Sequence, residues 1–193
     1  MYEGIILAAG RSRRAGVFKP AHLHQGHPLL QHALDGLMPW CERVLVVSGH
    51  RHAEVAALVA GTPRVEVLVN PDPDSAMFAS LRLAAAALSP AVDGFFVLPA
   101  DCPLVDVASY VALREAFLAS DLARPVIPEH AGRGGHPVLL PAAARIAILD
   151  APPRATLREV LRDLQALRVP VDDDAVLMDL DTPDDLAALA QGE

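Results

Sequence analysis

The sequence predicts an α/β fold built around a mainly parallel sheet. Short β-type runs alternate with helical stretches rich in alanine and leucine, which is the pattern of successive strand-helix-strand units. Apolar residues make up 52% of the 193 residues and charged residues 21%, so the chain can bury one sizeable core. Only 4% of the residues are aromatic, a composition that favours helices packed on a buried aliphatic sheet.

The predicted elements follow one another without a linker or an internal repeat, so one domain over residues 1–193 is expected. Strands are predicted at residues 4–8, 43–47, 65–69, 94–98 and 125–127, with a sixth at 138–140. Helices are predicted near residues 28–38, 52–60, 77–88, 106–119, 141–149, 154–167 and 183–190. Pro28, Pro141 and Pro183 mark helix starts, because the first helical turn tolerates a residue without an N–H.

Composition also narrows the classes of function. The net charge of −8 argues against a nucleic-acid partner, because binding to a phosphate backbone needs clustered lysine and arginine. Cys41 and Cys102 have no paired spacing, which argues against a disulfide framework or a zinc site. The first residues contain no basic leader, and no apolar run approaches the roughly 20 residues of a membrane helix. A soluble cytoplasmic protein without a membrane partner is expected.

A basic, glycine-containing segment follows the first strand and is a candidate phosphate-binding loop. Gly10 and Gly16 would let the backbone turn tightly around an anion, and Arg11, Arg13, Arg14 and Lys19 would supply positive charge. The spacing matches neither the P-loop nor the GxGxxG motif. On glycine and charge alone, an ordinary strand-to-helix turn with solvated arginines is an equal alternative.

An aspartate follows the predicted strand at 94–98. Ligands of open α/β sheets bind at the carboxyl ends of the strands, and Mg²⁺ prefers carboxylate oxygens together with substrate phosphates. Asp101 is therefore a candidate metal ligand, with a helix cap or a turn as the alternative. The neighbouring Cys102 is interpreted as a buried packing residue and not as a nucleophile.

Three segments resemble the MobA-like nucleotidyltransferases. LAAGRSRRAG at residues 7–16, followed by Lys19, resembles the family signature LAAGxSxRMG…K, with alanine at position 15 in place of methionine. GHPLL at 26–30 is similar to the family's GxPLL, and DLDTPDDL at 179–186 resembles its DxDTPEDL segment. In that family the aspartate before Thr-Pro is a second metal ligand, so the resemblance implies this role for Asp181. By spacing alone, Asp181 is better explained as a helix cap.

Two further segments resemble the molybdenum cofactor cytidylyltransferase branch of this family. Asn70-Pro71 with MFASLR at 77–82 is similar to NPxxxxGMxxSLR, with alanine at position 76 in place of glycine. RGGHPV at 133–138 resembles the branch's RGHPV segment and is the main reason to prefer CTP. VVSGH at 46–50 resembles the family's VVxG, which lies near the nucleotide base. Residues 152–158 depart from the usual GDxGAR segment, a departure that bears on the acceptor.

The resemblance implies a Rossmann-like three-layer α/β/α sandwich with a mixed, mostly parallel sheet, of the nucleotide-diphospho-sugar transferase type. It implies a Mg²⁺-dependent enzyme that transfers CMP from CTP to the phosphate of molybdopterin or molybdenum cofactor and releases pyrophosphate. An acceptor phosphate oxygen would attack the α-phosphorus in line, so catalysis would consist of positioning and charge neutralisation. The expected partners are CTP or another NTP and a phosphorylated pterin, with a molybdoenzyme that receives the product as a further candidate.

The site residues implied by the resemblance form four groups. Arg14, Lys19 and Asp101 are expected to be catalytic, and Asp101 and Asp181 to bind the metal. The nucleotide-binding group consists of Leu7, Ala8, Ala9, Gly10, Arg11, Ser12, Arg14, Lys19, Ser48, Gly49 and Ser80. The acceptor-binding group consists of Ser80, Arg82, Gly135 and His136. The alternatives are a guanylyltransferase, nucleotidyl transfer to another phosphorylated acceptor, and a non-catalytic carrier or insertion chaperone for molybdenum cofactor.

Overall fold

The computed structural model describes residues 1–10 and 17–191, in which strands and helices alternate along most of the chain. The strands are β1 (Tyr2–Ala8), β2 (Leu23–His24), β3 (His27–Pro28), β4 (Arg43–Ser48), β5 (Val65–Val69), β6 (Gly94–Pro99), β7 (Val126–His130), β8 (Arg133–Gly134), β9 (Val138–Pro141) and β10 (Leu167–Pro170). The α-helices are α1 (Leu29–Leu37), α2 (His52–Leu58), α3 (Met77–Ala87), α4 (Val107–Ala119), α5 (Ala144–Asp150), α6 (Leu157–Asp163) and α7 (Pro183–Gln191). Short 3₁₀ helices cover Lys19–Ala21, Met38–Trp40 and Asp174–Leu177.

One mixed sheet forms the centre of the molecule. Its strand order is β10-β7-β9-β6-β1-β4-β5, with β8 paired to β7. The central strand β1 is parallel to both β4 and β6, and the pairs β4-β5 and β7-β10 are also parallel. Strand β9 runs antiparallel to its neighbours β6 and β7. The prediction of a mixed, mostly parallel sheet is confirmed.

Helices cover both faces of this sheet, because the central strands carry apolar side chains on both faces. Ile5 and Ile6 point to opposite faces of β1, and both are fully buried. Ile6 belongs to a core that includes Leu34 of α1 and Phe117 of α4. Ile5 belongs to a second core that includes Leu81 of α3 together with residues of α5 and α6. The result is the predicted three-layer α/β/α sandwich.

One predicted helix is shorter in the structure than the sequence pattern indicated. A helix was expected near residues 154–167, but α6 ends at Asp163 and the chain enters β10 four residues later. Gln165 has a positive φ of 53°, a conformation that ends the helix and turns the chain towards the sheet. At its start, α6 has a reciprocal capping box between Thr156 and Glu159.

A second predicted helix also begins later than expected. The helix expected at 141–149 begins only at Ala144, because Pro141 is the last residue of β9.

The two cysteines are buried free thiols. Cys102 is 1% exposed, and its Sγ donates a hydrogen bond to the carbonyl of Ala175 at 3.2 Å. The packing role predicted for Cys102 is confirmed. Among the helices of the described residues, none combines the length and the apolar character needed to cross a lipid bilayer.

Candidate active site

The carboxyl ends of β1 and β6 lie side by side and carry the candidate catalytic residues. Strand β1 is followed by Ala9 and Gly10, and β6 is followed by Ala100 and Asp101. The Ala100 N–H donates to the Leu7 carbonyl at 3.1 Å, so the two strands stay in register up to the aspartate. This is the edge at which ligands of parallel sheets bind.

The first 3₁₀ helix brings Lys19 to this edge. Lys19 is only 8% exposed, and its Nζ donates to Asp101 Oδ2 at 2.8 Å and to Asp181 Oδ1 at 3.0 Å. Burial by itself would lower the pKa of Lys19, but the hydrogen bonds and charges of the two carboxylates outweigh it and raise the pKa above its usual value. The Lys19 ammonium is therefore positively charged at neutral pH.

A small apolar cluster holds the segment that contains Asp181. Leu180 and Leu186 are buried against Leu29, the first residue of α1. The Leu180 N–H also donates to the carbonyl of Asp101 at 3.4 Å. These contacts explain how two aspartates that are distant in sequence meet around one lysine.

Helix α7 begins directly after Asp181 with a reciprocal cap. The Thr182 N–H donates to the Asp185 carboxylate at 2.7 Å, and the Asp185 N–H donates to Thr182 Oγ1 at 3.2 Å. The hydrogen bonds from Thr182 lower the pKa of Asp185. Thr182 and Asp185 thus make the cap that spacing alone assigned to Asp181, and the Asp181 carboxylate contacts Lys19 instead.

Asp179 joins Asp101 and Asp181 in what we call the acidic cluster, a role that the sequence analysis missed. One carboxylate oxygen of each residue lies within 4.8 Å of the others. Partial burial of its carboxyl group, followed by the charges of Asp101 and Asp181, raises the pKa of Asp179. Carboxylate oxygens are hard donors, so this set fits Mg²⁺ or Mn²⁺. The signal in the sequence was the DxD spacing, since residues i and i+2 of an extended segment point to the same side.

Strand β4, next to β1, ends at the predicted nucleotide-binding pair Ser48 and Gly49. The Ser48 hydroxyl is fully buried, donates to the Leu68 carbonyl at 3.0 Å and lies 2.9 Å from His52 Nδ1. A Cβ on Gly49 would lie 2.7 Å from the Ala9 carbonyl oxygen, so glycine allows the ends of β1 and β4 to approach closely. That Ser48 and Gly49 contact a nucleotide stays a prediction. Such a contact would use their backbone groups, because the Ser48 hydroxyl is already hydrogen-bonded within the protein.

Asn70 organises the loop before α3. Its side-chain amide donates to Ser80 Oγ at 3.0 Å and to Ser75 Oγ at 3.2 Å, and its Oδ1 accepts from the Asp72 N–H at 3.0 Å. Ser80 itself is buried. Ala76 precedes α3 with a φ of −58°, which any residue can adopt, so alanine in place of glycine does not strain this backbone. A contact between Ser80 and a ligand stays a prediction.

Arg82 of α3 contacts the chain that follows α5. Its Nη2 donates to the carbonyls of Ala151 and Pro152, the latter at 3.2 Å, and its guanidinium lies 5.6 Å from the centre of the Phe78 ring. Its Nε is buried and has no hydrogen-bond partner among the described residues. Arg82 therefore ties α3 to residues 151–152, and its predicted contact with the acceptor stays a prediction.

The loop at residues 133–137 packs against the third 3₁₀ helix. The Gly135 N–H donates to the Pro128 carbonyl at 2.9 Å, and the His136 N–H donates to the Val176 carbonyl at 2.8 Å. A Cβ on Gly135 would lie 2.7 Å from the carbonyl carbon of Val176 and closer still to its oxygen. The close approach leaves no room for a side chain at position 135.

The His136 imidazole is held in its neutral form near the acidic cluster. Burial lowers the pKa of His136, an effect larger than the opposing influences of the Val97 backbone and the Asp101 charge. Within the described part of the chain, His136 Nδ1 is shielded from solvent and has no hydrogen-bond partner. Any contact of His136 with a ligand stays a prediction.

Part of the predicted nucleotide site lies outside the described residues. Arg11, Ser12, Arg13, Arg14 and Gly16 all fall within residues 11–16. Of the remaining predicted residues, Leu7 and Ala8 end β1 and are buried, and Ala9 and Gly10 follow it. The structure brings together the end of β1, Lys19, Asp101 and Asp181; contacts of these residues with a nucleotide stay predictions.

Comparison with known proteins agrees with this architecture. The MobA-like NTP transferase domain matches residues 4–169. The molybdenum cofactor cytidylyltransferase of Escherichia coli (strain K12) is 25% identical over 181 residues, which are 94% of this chain and 91% of that protein. The crystal structure of Rv0371c from Mycobacterium tuberculosis H37Rv has a TM-score of 0.82 at 24% identity, covering 98% of this chain and 97% of that one. A structure of Rv0371c in complex with manganese has a TM-score of 0.74 at 22% identity, covering 100% and 99%.

Proposed function

The chain belongs to the MobA-like NTP transferase family and is a nucleotidyltransferase, and from this membership we propose that it transfers CMP from CTP to the phosphate of molybdopterin or molybdenum cofactor. The observation that carries the proposal is Lys19, held between Asp101 and Asp181 at the ligand-binding edge of the sheet. The choice of CTP and of a pterin acceptor is supported by the RGGHPV segment and by the similarity to the E. coli cytidylyltransferase.

Lys19 and the loop after β1 would bind the triphosphate. The ammonium of Lys19 would neutralise charge on the phosphates as pyrophosphate leaves, with Arg11 and Arg14 as further cations and the backbone from Leu7 to Ser12 around the nucleotide. The acceptor phosphate is already ionised at neutral pH, so its oxygen can attack the α-phosphorus without a protein base. The chain's main contribution would be to hold the two phosphates in line.

Asp101 and Asp181 are the proposed metal ligands, and Asp179 adds a third oxygen donor at the exposed side of the acidic cluster. When bound there, Mg²⁺ would supply charge neutralisation on the nucleotide phosphates. The manganese complex of the mycobacterial relative supports a divalent cation in this fold. Asp101 also holds Lys19, so one carboxylate would position both positive charges.

The start of α3 and the loop at 133–137 would receive the acceptor. The first N–H groups of α3 can bind a phosphate, with Ser80, Arg82, Gly135 and His136 as the other proposed residues. We propose that residues 1–193 form one catalytic domain that works in the cytoplasm. A molybdoenzyme that takes over the product is a candidate partner.

The proposal is tested by pyrophosphate release from CTP in the presence of Mg²⁺ and molybdenum cofactor. Asp101→Asn keeps the size of the side chain but removes its charge, so it should reduce turnover by at least about 10²-fold, as losses of charge stabilisation in active sites do. Asp163→Asn is the matched control, because Asp163 is 67% exposed and pairs only with its neighbour Arg162 in the described contacts. Equal turnover of the two variants would remove Asp101 from the mechanism.

A further inference from the structure

Lys19 has an unusual place in this chain. It is the only lysine among the 16 lysines and arginines of the sequence. Its side chain is 11% exposed, and the side chains of its partners Asp101 and Asp181 are 24% and 21% exposed. A fully ionised ammonium is thus held in a largely desolvated position between two carboxylates, with Asp179 close by.

The acidic cluster concentrates negative charge around Lys19. Three ionised carboxylates with oxygens within 4.8 Å of one another repel each other. Lys19 places one positive charge against this cluster through two hydrogen bonds, to Asp101 at 2.8 Å and to Asp181 at 3.0 Å. The Lys19 ammonium therefore lies close to where a divalent cation bound by the same carboxylates would lie.

We infer that Lys19 is a displaceable counter-ion of the acidic cluster: binding of Mg²⁺ to the aspartates releases its ammonium, which then becomes available to the triphosphate. The inference rests on the proposed metal role of Asp101 and Asp181. Mg²⁺ binds carboxylate oxygens at about 2.1 Å, so a metal shared by these aspartates would lie close to the ammonium and repel it. In the absence of a nucleotide, Lys19 therefore lowers the affinity of the protein for Mg²⁺. A bound nucleotide removes this effect, because its phosphates give the ammonium new partners.

The test is Mg²⁺ affinity measured by titration calorimetry without nucleotide. Lys19→Met removes the charge at similar length, so it should tighten Mg²⁺ binding by at least roughly fivefold, the lower end of usual coupling between sites. Lys19→Arg keeps the charge, so it should bind Mg²⁺ more weakly than Lys19→Met does. Arg168→Met removes a distant charge that pairs with Glu129 and should leave the affinity unchanged. Weaker binding or unchanged affinity in Lys19→Met would overturn the inference, because a lysine that only organises the ligands would produce that result.

A second measurement needs no variant, since Lys19 is the only lysine. Protein grown with ¹³C,¹⁵N-lysine gives one side-chain Cε–Nζ signal by NMR, and Mg²⁺ should shift it as the ammonium leaves the carboxylates. If Mg²⁺ binds to the protein but leaves this signal unchanged, the inference fails while the metal role stands. If neither the wild type nor any variant binds Mg²⁺, both the metal role and the inference fail.

Discussion

Replacing Gly135 by alanine should separate two parts of the candidate site that are far apart in sequence. The added Cβ would lie 2.7 Å from the carbonyl carbon of Val176, a distance at which one of the two backbones must move. Two hydrogen bonds join these backbones to the sheet and to each other: from the Gly135 N–H to Pro128 at 2.9 Å and from the His136 N–H to Val176 at 2.8 Å. We expect His136 to move away from Asp101 as the loop shifts.

The expected decrease in the free energy of unfolding follows from these contacts. Overpacking in a closely packed region costs about 1–3 kcal/mol, and each weakened hydrogen bond adds about 0.5–1.5 kcal/mol. Because the backbone will relax in part, we expect a total of about 2–4 kcal/mol. With a urea m-value of about 2 kcal/mol/M, the unfolding midpoint should fall by about 1–2 M.

Urea unfolding can be followed by the fluorescence of Trp40, the only tryptophan, which is stacked on Tyr110. Gly134→Ala is the matched control: its Cβ would lie 3.3 Å from a side-chain methyl of Ile127, which can give way, so we expect a loss below about 1 kcal/mol. In the transfer assay, Gly135→Ala should raise KM for the acceptor more than KM for CTP. Equal unfolding midpoints for the two variants would refute the explanation of why residue 135 is glycine.

Three further predictions follow from other parts of the molecule. Burial raises the pKa of Cys102 to about 12 and also raises the pKa of Cys41. Iodoacetamide at pH 8 should therefore modify both thiols only after the protein unfolds. Rapid labelling of the folded protein would contradict their burial. Thr156→Ala removes the capping box of α6 and should lower the free energy of unfolding by about 1 kcal/mol, measured by urea unfolding, whereas no change would show that the cap is dispensable. Asp179→Asn should weaken Mg²⁺ binding by roughly tenfold in calorimetry, and an unchanged affinity would place Asp179 outside the metal site.

Much of the fold could be predicted because its signals are local. The apolar runs that became β1, β4, β5 and β6 are short and flanked by helical stretches, and the strand at Val65–Val69 matches its predicted bounds. The end of α6 was missed because residues 154–167 read as one continuous helical pattern, while the positive φ of Gln165 depends on packing. The capping box of Thr156 and Glu159 was readable from its spacing and would have corrected the start of that helix.

The candidate site was predictable only in part. Asp101 follows from its place after a buried strand, and Asp181 from the resemblance to the family's DxDTPEDL segment. Asp179 was overlooked although it stands two residues before Asp181, a spacing that directs both side chains to one side. The bonds from Arg82 to residues 151–152 could not have been predicted, because they join segments distant in sequence through contacts that carry no local pattern.

The central claim is tested most directly by following the transferred nucleotide itself. The purified protein is incubated with Mg²⁺, molybdenum cofactor and either α-³²P-CTP or α-³²P-GTP, and the label is followed into the pterin product. We predict that label passes from CTP to the pterin, that an equal amount of pyrophosphate is released, and that EDTA prevents both. Transfer from GTP alone, or no transfer from either nucleotide, would contradict the account.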